Sequence, residues 1–438
     1  MEIDKTTLTD LVIFDREDDF SIFSKINFTE TSSGKDQLRK NLMKPLATIA
    51  AIENVQACVH FMQSKNEQWP KIISNGTLMV VERFYETNID PIPLNPSFVS
   101  AFTYKLLHGH DNTLVKYSVR HCYDFIKGMA QFVQFYLNEE TPKVLKNELD
   151  EIKKTIANEQ LVLIFKTKKA SDLIPSDMLS LAHFLRYKFK RQMLELITIF
   201  AKLDAWNSMA IAKEKYNLCT PVFRDGDLPF IEARDLYHLM LEQPVPYNVT
   251  LNEATNFLFL TGANMAGKST FIKACGTAVY LAHTGMGVSA ANMELSFFDG
   301  ILSNINVIDN IAKGESYFFN EVQRIKATIQ KINNGKKWLI LIDELFKGTN
   351  VQDAMKCSNA VIEGLIKNKK SIFLLSTHLY EIGEDLKKYK NINFNYFETS
   401  VIDDQLSFSY QLKKGISNDR LGYLILKREG VVKMLDEI

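Results

Sequence analysis

The 438-residue sequence predicts an all-helical domain over residues 1–234, followed by an α/β domain with a largely parallel sheet over 235–438. Three observations carry that expectation. Apolar residues in the first half recur at steps of three and four. In the second half, short apolar runs alternate with helical stretches. One of those runs leads directly into a glycine-rich loop with the spacing G-x-x-x-x-G-K-S.

In chain order, Ile49, Ile52, Val55, Val59 and Met62 form one apolar stripe of a helix. The segment Asp90-Pro-Ile-Pro-Leu-Asn-Pro96 reads as a loop between helices. Leu145, Leu149, Ile152 and Ile156, with Lys and Glu between them, make a heptad-like seam on an exposed helix. From Met178 to Tyr216 the pattern Leu185, Phe189, Met193, Leu196, Phe200, Leu203 continues without Pro or Gly, predicting one long rod or lever. Core helices of an ordinary helical domain would give the same pattern. Between Pro221 and Pro246 the texture breaks, with Asp225-Gly226-Asp227 as a turn. Beyond it, Phe257–Leu260, Trp338–Ile342 and Ile372–Leu375 read as buried strands.

Composition bounds the function. With 52 basic and 52 acidic side chains the net charge is zero, so the chain is no polycation. Apolar residues at 46% and charged residues at 24% exclude a disordered or collagen-like chain. One local exception is the stretch 161–191, where Lys166, Lys168, Lys169, Arg186, Lys188, Lys190 and Arg191 face only Asp172 and Asp177. Most such runs are solvated helix faces, and the same charges suit nucleic-acid phosphates. Five cysteines lie far apart with no C-x-x-C pair, which fits reduced thiols and offers no zinc site. The acidic N-terminus carries no signal pattern, and no apolar run approaches the ~18 residues of a membrane span, so a cytoplasmic protein is expected.

Chemistry concentrates in three places. Gly262-Ala263-Asn264-Met265-Ala266-Gly267-Lys268-Ser269 follows a strand and opens a helix at Thr270, the context a phosphate loop requires. Backbone N–H groups there would cradle phosphates, Lys268 would reach the β- and γ-phosphates, and the Ser269 hydroxyl would ligate Mg²⁺. Trp338–Ile342 delivers Asp343 and Glu344 at its tip: Asp343 would hold Mg²⁺ through water, and Glu344 would polarise the attacking water. Ser376-Thr377-His378 ends a third strand, placing His378 as a sensor of the γ-phosphate.

On these blocks the chain resembles the MutS family of DNA mismatch-repair ATPases, of the ABC class. The resemblance rests on Thr261–Thr270, on Asp309-Asn-Ile-Ala-Lys-Gly-Glu-Ser-Tyr-Phe318 with Glu321, on Leu341–Thr349 and on Ser376–His378. In the first half, Asp10–Phe14 and Gly34–Leu46 look like the start of the family's core or lever domain, and Leu203–Pro221 like its return into the ATPase. Tyr410–Gly415 with Leu421–Tyr423 is similar to the family's closing strand and helix.

The resemblance implies an ABC-type P-loop ATPase domain preceded by an all-α lever, using ATP and Mg²⁺. It also implies a homodimer through the ATPase domains, in which Ser316 reaches the nucleotide of the other subunit. Asn264 matches the Asn of the family's phosphate loop, whereas the family's adenine-stacking aromatic is not evident in Gln243-Pro-Val-Pro-Tyr247, where Tyr247 is the candidate. Against the family pattern, the mismatch-reading and connector domains, a large clamp and a C-terminal extension are not expected in this chain. The function expected is an ATP-driven clamp on mismatched, damaged or branched DNA. An ATP-driven switch acting on a protein partner without DNA is the alternative.

Overall fold

A computed structural model describes residues 1–15, 20–306, 317–402, 405–417 and 430–436. Contacts divide the chain into two compact units: 26–44 with 53–214, and 1–25, 45–52 and 215–438 together. This division differs from the expected 1–234 and 235–438.

The helical unit is built around the Gly109–Tyr136 helix, which buries Val115, Val119, Cys122, Phe125, Ile126, Met129 and Phe132 along one face. Trp69 meets Phe132 edge-on at 4.8 Å, and Phe200 closes the aromatic core against Phe125 and Phe132. The seam Leu145, Leu149 and Ile152 is fully buried in the Lys143–Ile156 helix, so it is core rather than an exposed coiled-coil face. The long rod expected from Met178 to Tyr216 is interrupted. A helix over Pro175–His183 passes through a π-turn at Phe184–Lys188, where the Phe189 N–H donates to the Phe184 carbonyl at 3.0 Å. The helix resumes over Lys190–Lys215. A π-turn inserts one residue without Pro or Gly, so no breaker in the sequence announces it.

Asp204, fully buried, anchors the start of this unit. Its carboxylate accepts from the backbone N–H groups of Glu30 and Thr31, each at 3.0 Å, and from the Thr31 hydroxyl at 2.6 Å. Burial raises its pKa, and these three hydrogen bonds oppose the rise. Residue 34 must be glycine because a Cβ there would run into the Asp204 side chain.

The second unit holds two sheets. The strands are β1 (Glu2–Ile3), β2 (Val222–Phe223), β3 (Ile231–Leu236), β4 (Tyr247–Leu251), β5 (Phe257–Thr261), β6 (Asn292–Leu295), β7 (Gly300–Asn304), β8 (Trp338–Asp343), β9 (Ser371–Ser376), β10 (Ile392–Ile402) and β11 (Gln405–Lys414). The larger sheet runs β1-β7-β8-β9-β5-β10-β11, parallel throughout except for the β10–β11 pair. Every residue of β5, β7, β8 and β9 is buried, as a sheet covered on both faces demands. The smaller sheet, β2-β6-β3-β4, is mostly antiparallel.

Residues 1–25 belong to this unit, although Asp10–Phe14 reads in sequence as the start of the helical domain. The reason is β1, which extends the large sheet, together with the buried Asp10. Its carboxylate accepts from the Ser303 hydroxyl at 2.5 Å and from the backbone N–H of Ile305 at 3.2 Å. Among the described residues no helix is long and apolar enough to cross a membrane.

Candidate nucleotide site

Strands β8, β9 and β5 are neighbours, and all three end at the same carboxyl edge, where open parallel sheets place ligands. The β5 chain turns out through Gly262 at φ +139°, Met265 at +67° and Gly267 at +107°, and the Lys268–His283 helix begins at once. Gly267 is needed for its backbone, because its φ lies in the left-handed region that a side chain disfavours.

Over this loop opens a cavity of about 480 Å³ lined by Asn264, Met265, Gly267, Lys268, Ser269, Thr270 and Glu344, with Leu241, Gln243, Val245, Tyr247 and Tyr410. Lys268 is 5% exposed. Its ammonium donates to the Gly262 carbonyl at 2.8 Å and the Ala263 carbonyl at 2.9 Å, and lies 3.5 Å from His378 Nε2. Burial pushes its pKa down to about 8, against the pull of Glu344 and Asp343. Those carbonyls satisfy the ammonium without neutralising it. An entering polyanion would therefore find a desolvated cation already in place.

The carboxylates are held differently. Asp343 is buried at the end of β8, and the Ser376 hydroxyl of β9 donates to it. Glu344 leaves the strand at φ +65°, a left-handed conformation costing roughly 1–2 kcal/mol for a residue with a Cβ. Its N–H is fixed on the Ser376 carbonyl at 2.9 Å. Its side chain meets His378 Nε2 at 2.8 Å and Lys347 Nζ at 3.3 Å. Burial raises the Glu344 pKa, but the His378 hydrogen bond and charge and the Lys347 charge outweigh it, and the carboxyl settles at about 2. Glu344 is thus an ionised carboxylate near neutral pH.

Of the sequence candidates, Asn264, Met265, Gly267, Lys268, Ser269, Thr270 and Glu344 meet in the cavity, and His378 joins them through Glu344. Gly262, Ala263 and Ala266 form the loop behind it, and Asp343 sits under Ser376. Ser316 and most of Asp309–Phe318 lie outside the described residues.

Tyr247 is 7% exposed and packed edge-on between Phe271 and Phe397, so its ring is a wall rather than a free stacking face. Sequence reasoning missed Tyr410 as a lining residue. It is 42% exposed on β11 and takes φ +52°. Glu321 has a role that spacing did not reveal: its carboxylate accepts from the backbone N–H of Lys347 at 3.0 Å and of Gly348 at 3.1 Å, pinning the turn that carries Lys347.

The seven basic candidates sit in the helical unit and separate. Arg186 is committed to the carbonyls of Phe84 and Thr87 and stacks over the Phe84 ring, closing the end of the Asn75–Glu86 helix. Lys188, Lys190 and Arg191 line a shallow groove with Tyr187, and Arg191 pairs with Glu195 at 2.9 Å. Lys168 and Lys169 line a different cavity, and Lys166 ends the Val162–Lys166 helix.

A parallel sheet with a strand, glycine loop and helix at its carboxyl edge, on a chain with a large helical part, defines a mixed α/β protein. Residues 258–435 match the family model of MutS domain V. The DNA mismatch repair protein MutS of Lactococcus lactis subsp. cremoris is 28% identical over 248 residues, covering 55% of this chain and 29% of that relative. The protein of the same name from Streptococcus pyogenes is 26% identical over 247 residues, with the same coverage. The C-terminal part of the chain is thus similar to MutS domain V, and the matched part spans less than a third of those relatives.

Proposed function

We propose that this protein is a Mg²⁺-dependent ATPase of MutS type whose nucleotide cycle gates its grip on mismatched, damaged or branched DNA. The observation that carries the reading is the convergence of Lys268, Glu344 and His378 on the glycine loop at one sheet edge. The residues present fit a nucleoside triphosphate with Mg²⁺. The cavity offers a buried ammonium and a helix N-terminus to phosphates, and Ser269 and Asp343 are oxygen donors suited to the metal. When bound, Mg²⁺ supplies charge neutralisation on the phosphates.

The chain's own residues would do the rest. Lys268 exchanges its two carbonyl contacts for phosphate oxygens. Glu344, kept ionised by His378 and Lys347, orients and polarises the attacking water. His378 reports to Glu344 whether the γ-phosphate is present. In a homodimer Ser316 would complete the partner's site.

DNA as the target is supported by the similarity to DNA mismatch repair proteins and by the exposed Lys188 and Lys190 beside Arg191. One observation favours the alternative of a protein partner: the Phe98–Leu107 helix exposes Phe98, Val99, Phe102, Leu106 and Leu107, each more than 60%. Fluorescence anisotropy on duplex, mismatched and branched DNA, with ATP, ADP or no nucleotide and over a salt series, tests the choice. Nucleotide-dependent binding lost on charge reversal of Lys188, Lys190 and Arg191 is the expected result. No binding at low salt in any nucleotide state would leave the protein-partner reading.

A further inference from the structure

The helical unit contains a cavity of about 730 Å³ between the Gly109–Tyr136 helix and the segment from residue 168 to residue 178. Lys116, Arg120 and Lys127 come to it from the helix, and Lys168 and Lys169 from the segment, and the one carboxylate among its lining residues is Asp124. Among the described residues none of Lys116, Arg120, Lys168 and Lys169 forms an ion pair. Lys116 and Arg120 lie one helical turn apart, where like charges repel. A chain of zero net charge has no general excess of cations to scatter here, so five in one concavity is a local concentration.

The arrangement is braced. Lys127 donates to the Thr167 carbonyl at 2.8 Å and stands over the Tyr123 ring, and the Tyr123 hydroxyl donates to the same carbonyl at 2.8 Å. This ties the helix to the residue immediately before Lys168 and Lys169. Burial raises the Asp124 pKa and the Arg120 charge opposes the rise, so this one carboxylate faces five cations. The apolar side chains of Leu173 and Met178 also line the space, which suits a ligand with a carbon framework as well as charge.

We propose that this cavity binds a small molecule of the nucleotide class carrying at least two phosphate groups, at a site separate from the loop over Lys268. The concavity decides the class. A duplex presents its phosphates on a convex, repeating ridge, whereas these cations line one hollow and can surround a compact polyphosphate from several sides. The inference stands whether or not the glycine loop hydrolyses ATP.

Titration calorimetry of the full chain at low salt tests it, using inorganic pyrophosphate and ATP as probes and a Lys268→Ala background to disable the loop site. The expected result is about one equivalent of probe bound in that background. Adding Arg120→Gln with Lys169→Gln should weaken binding at least tenfold with the melting temperature unchanged, while Lys188→Gln should leave it intact. Should the first pair fail to fold, Lys116→Gln with Lys168→Gln serves the same purpose. Absence of binding in the Lys268→Ala chain, or binding indifferent to both pairs, overturns the proposal. So does a site that takes duplex DNA through these residues but neither pyrophosphate nor ATP.

Discussion

In the cavity at the end of β5, one lysine is 5% exposed and donates to two carbonyls of its own loop. In the cavity beside the Gly109–Tyr136 helix, Arg120, Lys168 and Lys169 are exposed and Lys116 and Lys127 half-buried, with side chains of two segments supplying the charge. The first site is set by backbone: glycines at φ +139° and +107° fix where the N–H groups and the helix end point. Its single cation has already lost its water. The second is set by the number of charges, which water and salt still reach. Desolvated charge interacts strongly over short range and resists screening; exposed charge interacts more weakly and is screened. The two should therefore differ in how they respond to mutation, salt and pH.

The largest effect is expected at Glu344. Glu344→Gln should keep nucleotide binding and cut turnover by about 100-fold or more, the scale of a lost general base. A steady-state ATPase assay with a parallel binding titration checks this, and an unchanged rate would remove Glu344 from the chemistry. Next is Lys268→Ala, which should weaken ATP binding by about tenfold to a hundredfold, as expected for a lost charge-assisted hydrogen bond in a buried setting. Unchanged affinity would mean that the buried lysine does not face phosphate.

Salt separates the two cavities more gently. Between about 50 and about 500 mM salt, pyrophosphate affinity at the basic cavity should fall about tenfold, and ATP affinity at the loop should change less than about threefold. Equal slopes would erase the distinction between buried and exposed charge.

The smallest signal is a proton. With a pKa of about 8, Lys268 is half deprotonated at pH 8 before ligand arrives, and a bound polyphosphate would restore the charge. Binding should take up about half a proton at pH 8 and almost none at pH 6.5. Calorimetry in buffers of different ionisation enthalpy measures it, and Lys268→Arg should abolish it. The same depressed value has a stability consequence. Between about 8 and the ordinary 10.5 the folded chain binds fewer protons than the unfolded one, so this group's contribution to stability improves as pH rises through that window.

Legibility in the sequence followed how local each constraint was. Gly262, Gly267 and Lys268 could be read because a tight turn into a helix needs glycines at fixed spacing and the motif carries its lysine right after them. Strands β5, β8 and β9 could be read because strands buried on both faces are continuous apolar runs. Strand β3 was missed: it is not a continuous apolar run, and Asp235 at φ +52° interrupts its alternation where the register shifts against β4. The break at Phe184–Lys188 was missed because a π-turn leaves the apolar periodicity almost intact.

The sequence by itself determined the glycine loop, the two carboxylates at the tip of β8 and the helical character of the first half. Each follows from neighbours in the chain. Only the tertiary structure decided which distant groups meet. It set His378 on Glu344, Glu321 under the turn carrying Lys347, and Glu2–Ile3 and Asp10 against β7. It also divided one basic run, committing Arg186 to backbone carbonyls and bringing Lys168 and Lys169 to Lys116 and Arg120. The physical reason is that strand order and helix packing fix contacts across tens or hundreds of residues, and no local spacing encodes them.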